Sequence, residues 1–326
     1  MPQSAAPVHQ YQPPYFGAAY YPELWPAAQV AQDIALMREA GMNCMRMGEF
    51  AWSRMEPQPG RYDFDWLHAV VDQLAAAGIA AILGTPTATP PIWLIEQHPE
   101  VLGVSDQGVV KQHGARRHAC PTNPVYRDFC ARIVTQMARE FGQDPNVIGW
   151  QIDNEIYVTN PGPVGCCCRV CQQKYHEAMR QRYGTIAALN AAWGTGLWSQ
   201  EYQSFEQLPI PRTDTWHHPA LQQTWMQAQS DACVDFVHAQ ADILHRLVTQ
   251  PVGTDMMPLL GLSYEKMHRK LDVVQFNHYN DKDNLWHTVF WMDYLRTLKE
   301  TPFWSTETST CQSINPPQHE QGCRLF

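Results

Sequence analysis

The chain has 326 residues, enough for one α/β barrel or two ordinary domains, each with a sizeable core. Its net charge of -9 is spread without acidic or basic blocks, which argues against nucleic acid as a partner and for a neutral ligand. Residues 1–14, MPQSAAPVHQYQPP, contain no basic start and no apolar stretch, so neither a signal peptide nor a membrane anchor is expected and a cytoplasmic location follows. Ten cysteines are too few for a disulfide scaffold in such a chain and point toward metal.

From residue 15 onward, short apolar strands alternate with amphipathic helices. Phe16–Tyr20 reads as a strand and Pro26–Ala40 as a helix, with Val30, Ile34 and Met37 at spacings of four and three. Gly41 closes that helix. The pattern repeats with strand Asn43–Gly48, helix Phe64–Ala77 and strand Ala80–Gly84. A long connection, Thr85–Cys120, then leads to helix Pro124–Phe141 and strand Val147–Asp153. The stretch Ile156–Gln250 is too long for a simple crossover; it carries helices at Gln172–Tyr183 and Ala220–Thr249 and a Trp-rich segment, Ala192–Tyr202. Strands return at Gly253–Met257, Val273–Asn277 and Pro302–Ser305, with helix Leu285–Lys299 before the last. Seven strands, each followed by a helix or long loop, predict a (β/α)8 barrel. A doubly wound sheet is the alternative, although no glycine-rich phosphate loop follows the first strand. Residues 308–326 are polar and contain no strand pattern, so the eighth strand is expected to be absent from this chain, leaving open edges. The expected organisation is an extension at 1–14 and an incomplete barrel at 15–326.

Two strand ends carry acids. Gly149–Glu155 (GWQIDNE) ends in Asn154 and Glu155, and PFWSTET delivers Glu307. Paired carboxylates on two strands suit glycoside hydrolysis, in which one protonates the leaving oxygen and the other attacks the sugar or activates water. Period-two alternation puts Asp153 on the face of Glu155 but deeper in the barrel, as a supporting acceptor. Arg46 and Glu49 either face the sugar or form a buried ion pair. Arg116 and Arg117 are sugar-site donors or a solvated loop pair. Tyr279, just past the sixth strand, is positioned for a hydroxyl contact near Glu307, with Asn277 and His278 beside it. Trp25, Trp52, Trp193, Trp198 and Phe276 are further candidates for an aromatic sugar platform. Cys166, Cys168 and Cys171 have the spacing C-x-C-x-x-C, and Cys120 lies in a loop able to approach them. Four thiolates make a closed structural zinc site within an insertion around residues 156–185. Cys167 is a poor ligand because of its neighbours, and His113, His118 and His176 are the substitutes should Cys120 lie too far away.

Five segments together resemble glycoside hydrolase family 42: Gly17–Trp25 (GAAYYPELW), Met45–Leu67, Arg116–Pro124 (RRHACPTNP), Trp150–Glu155 (WQIDNE) and the strand bearing Glu307. The resemblance implies a retaining β-galactosidase with a (β/α)8 domain. It makes Glu155 the acid/base and Glu307 the nucleophile, Asn154 a ligand of the sugar 2-hydroxyl and Arg116 a sugar-site residue. It also implies zinc at the cysteines, and in the family a trimer built through a further domain absent here. β-Fucosides and α-L-arabinopyranosides, which share most of the galactose stereochemistry, are alternative substrates. A carbohydrate-binding remnant, inactive or dependent on a partner, is the alternative function.

Overall fold

The computed structural model describes residues 11–159, 162–258, 261–279 and 285–309. Strands β1 (Gly17–Ala19), β2 (Cys44–Met47), β3 (Ala80–Gly84), β4 (Val147–Gln151) and β5 (Val252–Gly253) form one parallel sheet in chain order. Strands β6 (Asp255–Met256), β7 (Gln275–Tyr279) and β8 (Trp304–Ser309) form a second, also parallel. Only Thr254 separates β5 from β6, so the two are halves of a single barrel strand, with the Thr254 hydroxyl donating to the Ile152 carbonyl at 2.7 Å. The described residues thus contain seven barrel strands of an α/β barrel. Near its start and end, β1 and β8 approach within 8 Å between Cα atoms, yet no ladder joins them among the described residues. A cavity of about 720 Å³ lies along this seam, lined by Gly17, Ala18, Arg46, Val273, Pro302 and Trp304 among others. The expectation of a missing closing strand falls on residues 310–326, outside the described residues.

Helices cover the outside of the sheet as the apolar spacing predicts. Helix Pro124–Phe141 starts at Asn123, whose side chain accepts the Val125 and Tyr126 N–H groups, with Pro124 in the first turn where no N–H is required. It packs on the 29-residue helix Pro219–Leu247. Inside the barrel, size is traded between facing positions. A Cβ on Gly149 of β4 would come within 2.8 Å of the Trp304 ring from β8, so the glycine leaves room for that indole. A separate apolar cluster, with Tyr175, Met179, Leu189, Trp193, Phe205, Leu221 and Trp225, gives the long insertion a core of its own.

Element boundaries differ from expectation in two informative places. β4 ends at Gln151 rather than Asp153, because the chain turns sharply there. β8 begins two residues later than expected and runs through Glu307 to Ser309, so Glu307 lies within a paired strand and not past its end. The long Thr85–Cys120 connection holds a helix, Ile92–Gln97, and the Trp-rich segment begins on helix Ile186–Trp193.

Candidate active site

After β4 the backbone enters the left-handed region twice, at Asp153 (φ 58°) and Glu155 (φ 47°). For residues with a Cβ this costs on the order of 1 kcal/mol or more each and persists only where neighbours over-determine it. Three bonds do so here. The Asp153 N–H donates to Thr85 Oγ1 at 2.7 Å, the Asn154 N–H to Asp153 Oδ1 at 2.8 Å, and the Glu155 N–H to Asp255 Oδ1 at 2.9 Å. Glu155 is thereby fixed at the barrel mouth, 7% exposed.

Glu307 stands opposite Asn277 in the β7–β8 ladder. Asn277 Nδ2 donates to Glu155 Oε1 and to Asp255 Oδ2, both at 3.0 Å, and its own oxygen accepts from Thr306 Oγ1 at 2.8 Å. The ladder partner of one carboxylate is therefore hydrogen-bonded to the other, which brings Glu155 and Glu307 to one site. Arg46 enters from β2 and pairs with Glu307 Oε1 through Nη2. Its Nη1 donates to Gln151 Oε1 at 3.0 Å and faces Asp255 Oδ2 at 3.5 Å, while Nε lies 3.2 Å from Glu49 Oε1. Of the two readings of this arginine the buried ion pair is the one seen, and one of its partners is an acid of the site. Burial disfavours its charge, but Glu49, Asp255 and Glu307 outweigh that and push its proton affinity up. Gly84 makes room for Glu49, since a Cβ there would meet the Glu49 Cβ at 2.5 Å.

The Tyr279 hydroxyl donates to the second Glu307 oxygen. Burial and that carboxylate push the Tyr279 hydroxyl above its ordinary range, so it keeps its proton. Arg116 Nη2 lies 3.2 Å from Glu155 Oε2. With the Asn154 amide oriented to satisfy its neighbours, its oxygen accepts from Arg116 Nη1 at 2.6 Å and its nitrogen donates to Asp255 Oδ2 at 3.2 Å. All five expected site residues, Glu155, Glu307, Asn154, Arg116 and Tyr279, thus converge.

Asp153 is the supporting acceptor expected, since it takes the Asn154 N–H, but its placement on the face of Glu155 is corrected. Its carboxylate accepts from Thr87 Oγ1 at 2.6 Å and pairs with Arg117, in a small pocket it shares with Tyr126, Cys233 and Phe236. Alternation fails because the strand has already ended. Arg117 is accordingly not a solvated loop residue. Asp255 was not anticipated: it is fully buried, burial pushes its carboxyl up, and Arg46 and the Glu155 N–H act in the opposite direction. An acid inside the short strand run Val252–Met256 was the available signal. Among the aromatic candidates, Trp52 and Phe276 are fully buried and Trp193 nearly so, all as packing, whereas Trp25 and Trp198 are exposed.

Away from the acids, Cys120, Cys166, Cys168 and Cys171 bring four sulfurs within 4.8 Å of one another. Cys120 Sγ is 3.5 Å from Cys171 Sγ and 3.7 Å from Cys168 Sγ. Both separations are far beyond a disulfide bond. They match the ~3.8 Å expected between thiolates tetrahedrally bound at ~2.3 Å from one ion. The four can therefore hold a metal. Cys167 points elsewhere, toward the Gly165 carbonyl, and burial pushes its thiol up to about 12. His176 is bonded to the Leu208 carbonyl and His118 packs on His113, so these rings do not join the cluster.

A barrel whose mouth joins two carboxylates through an amide and an arginine belongs to the architecture and chemistry of glycoside hydrolases. The β-galactosidase sequence profile of glycoside hydrolase family 42 matches residues 19–324, and the chain belongs to that family. It is 38% identical over 305 residues to β-galactosidase YesZ of Bacillus licheniformis, covering 92% of this chain and 45% of that one. It is 44% identical over 229 residues to β-galactosidase BgaA of a Thermus species, covering 70% of this chain and 35% of the relative. The solved β-galactosidase of Marinomonas ef1 superposes with a TM-score of 0.83 at 32% identity, over 91% of this chain and 48% of that one. The chain spans less than half the length of each of these relatives. Among the described residues no helix is long and apolar enough to cross a membrane.

Proposed function

We propose that this chain carries the catalytic machinery of a retaining β-galactosidase, with Glu307 as nucleophile and Glu155 as acid/base. The observation that supports this most directly is the different company the two acids keep. Glu307 faces Arg46 and Tyr279, donors on both oxygens, which suits a carboxylate that attacks the anomeric carbon and is regenerated on release. Glu155 is held by Asn277 and Arg116 and is pinned through its backbone by Asp255, which suits a group that gives a proton to the leaving oxygen and takes one from water. Asn154 supplies an amide beside Glu155 for the sugar 2-hydroxyl. That the relatives are β-galactosidases supports galactose as the sugar.

The same reading makes zinc the ion of the four-cysteine cluster, as a loop staple without an open coordination position. A cytoplasmic, oligomeric enzyme is the setting this reading carries.

Substitution of Glu155 by alanine tests the assignment. On a dinitrophenyl β-galactoside, whose leaving group needs no proton, formation of the galactosyl-enzyme should be nearly unchanged. On an alkyl β-galactoside it should fall by roughly 10²–10⁴-fold. An equal loss on both substrates would remove Glu155 from the acid role.

A further inference from the structure

One buried carboxylate is bonded to the backbone of Glu155 and to two of the amides around it, and the fold explains why. The fifth barrel strand changes partner at Thr254: Val252 and Gly253 pair with β4, whereas Asp255 and Met256 pair with β7. Asp255 therefore sits at the crossing, within reach of the turn that follows β4 and of Asn277 on β7. It is fully buried. Its Oδ1 accepts the Glu155 N–H at 2.9 Å. Its Oδ2 accepts the Asn277 amide at 3.0 Å and the Asn154 amide at 3.2 Å, with Arg46 Nη1 at 3.5 Å. All four neighbours donate, and a carboxylate is the side chain that only accepts.

A side-chain amide can sit in two orientations, and its neighbours decide between them. Asp255 turns the Asn277 nitrogen toward Glu155 Oε1, which it meets at 3.0 Å, whereas the Thr306 hydroxyl on the other side could serve either orientation. It also takes the Asn154 nitrogen, leaving the oxygen for Arg116. Glu155 is thus held at both ends through one residue, at its N–H directly and at its carboxyl through Asn277. The left-handed φ of 47° makes that grip matter, since such a conformation persists only where neighbours impose it. Glu307 depends less on Asp255, because Arg46 keeps Glu49 and Gln151 as further partners and Tyr279 holds the other oxygen. Resting on the β-galactosidase reading, we infer that Asp255 is a positioning residue for proton transfer: it aims the Glu155 carboxyl at the leaving oxygen and has little part in the attack by Glu307.

Asp255→Asn keeps the shape of the side chain and puts a donor where two amides already donate. Its effect is read as kcat/KM, which reports formation of the galactosyl-enzyme, on the dinitrophenyl and the alkyl β-galactoside. The burst of dinitrophenol counts competent sites, so each rate is taken per site. The variant should lose at least about tenfold more on the alkyl substrate than on the dinitrophenyl one, because only the former needs a proton from Glu155. Equal losses on the two substrates, no loss on either, or a variant with no competent sites would give Asp255 a structural role alone and overturn the inference. Glu155→Ala, measured in parallel, separates the two levels. Should it lose equally on both substrates, or should the unaltered chain hydrolyse neither, the acid/base assignment falls and the inference falls with it.

Discussion

Glu23 illustrates how far burial alone can set the proton affinity of a carboxyl in this fold. It lies in the GAAYYPELW segment, one of its oxygens is buried without a hydrogen-bond partner, and burial together with the Glu49 charge pushes its carboxyl up to about 7. Its folded affinity for a proton exceeds the unfolded one, so ionisation opposes folding. The penalty begins above the unfolded value of 4.5 and is complete above about 7. Glu23→Gln should therefore stabilise the protein at pH 8 by on the order of 1–2 kcal/mol, allowing for solvent screening, with the gain vanishing toward pH 5. Denaturant titrations at the two pH values check this, and a gain independent of pH would contradict it. At this scale the sequence singled out two acids on strand-like runs, Glu155 and Glu307, that the fold brings to one site, although Glu307 lies inside its strand and not at its end. It was a poor guide where backbone dihedrals redirect a side chain. Nothing in GWQIDNE announces the left-handed turns at Asp153 and Glu155, so alternation misplaced Asp153. Asp255 escaped notice because its role depends on donors from two other segments, Asn154–Glu155 and Asn277, and on the charge of Arg46.

Among the elements, the insertion after β4 is the one least able to hold itself together by packing alone. Its cluster is small, and the cysteines Cys166 and Cys171 sit inside it beside Tyr175 and Trp225. A metal bound by four thiolates joins this insertion to the loop of Cys120, and its binding free energy then adds to folding. Purified without chelator, the protein should contain about one zinc per chain. Cys166→Ser should lose the metal and lower the melting temperature, whereas Cys167→Ser should retain it. Elemental analysis and thermal melts decide this; a protein without zinc, or one in which both variants behave alike, would contradict it. The spacing C-x-C-x-x-C was legible because thiol ligands must be close in the chain or brought close by a loop. The extent of the supporting cluster was not, since Leu189, Phe205 and Leu221 carry no pattern that separates this core from the barrel's.

Across the whole molecule, burial follows the sheet order. The central strands β2 and β3 are buried throughout, whereas β1 exposes Gly17 and Ala18 beside the seam that faces β8. Runs such as Ala80–Gly84 were readable because both faces of a barrel strand are buried and the run is continuously apolar, whereas Gln275–Tyr279 and Trp304–Ser309 carry several polar residues and were read from their place in the alternating α/β order. The division of one strand into Val252–Gly253 and Asp255–Met256 was not readable, because it falls at Thr254, whose hydroxyl bonds the Ile152 carbonyl just past the end of β4. The barrel brings Glu155 and Glu307 together from segments about 150 residues apart, and their division of labour is the central claim. It is tested most directly by trapping the intermediate. The full chain is incubated with a 2-deoxy-2-fluoro-β-galactosyl donor bearing a good leaving group, and the labelled peptide is identified by mass spectrometry. One fluorogalactosyl group on Glu307 is the predicted result. A label on Glu155 or any other carboxylate, or hydrolysis of β-galactosides with no covalent label formed, would contradict it.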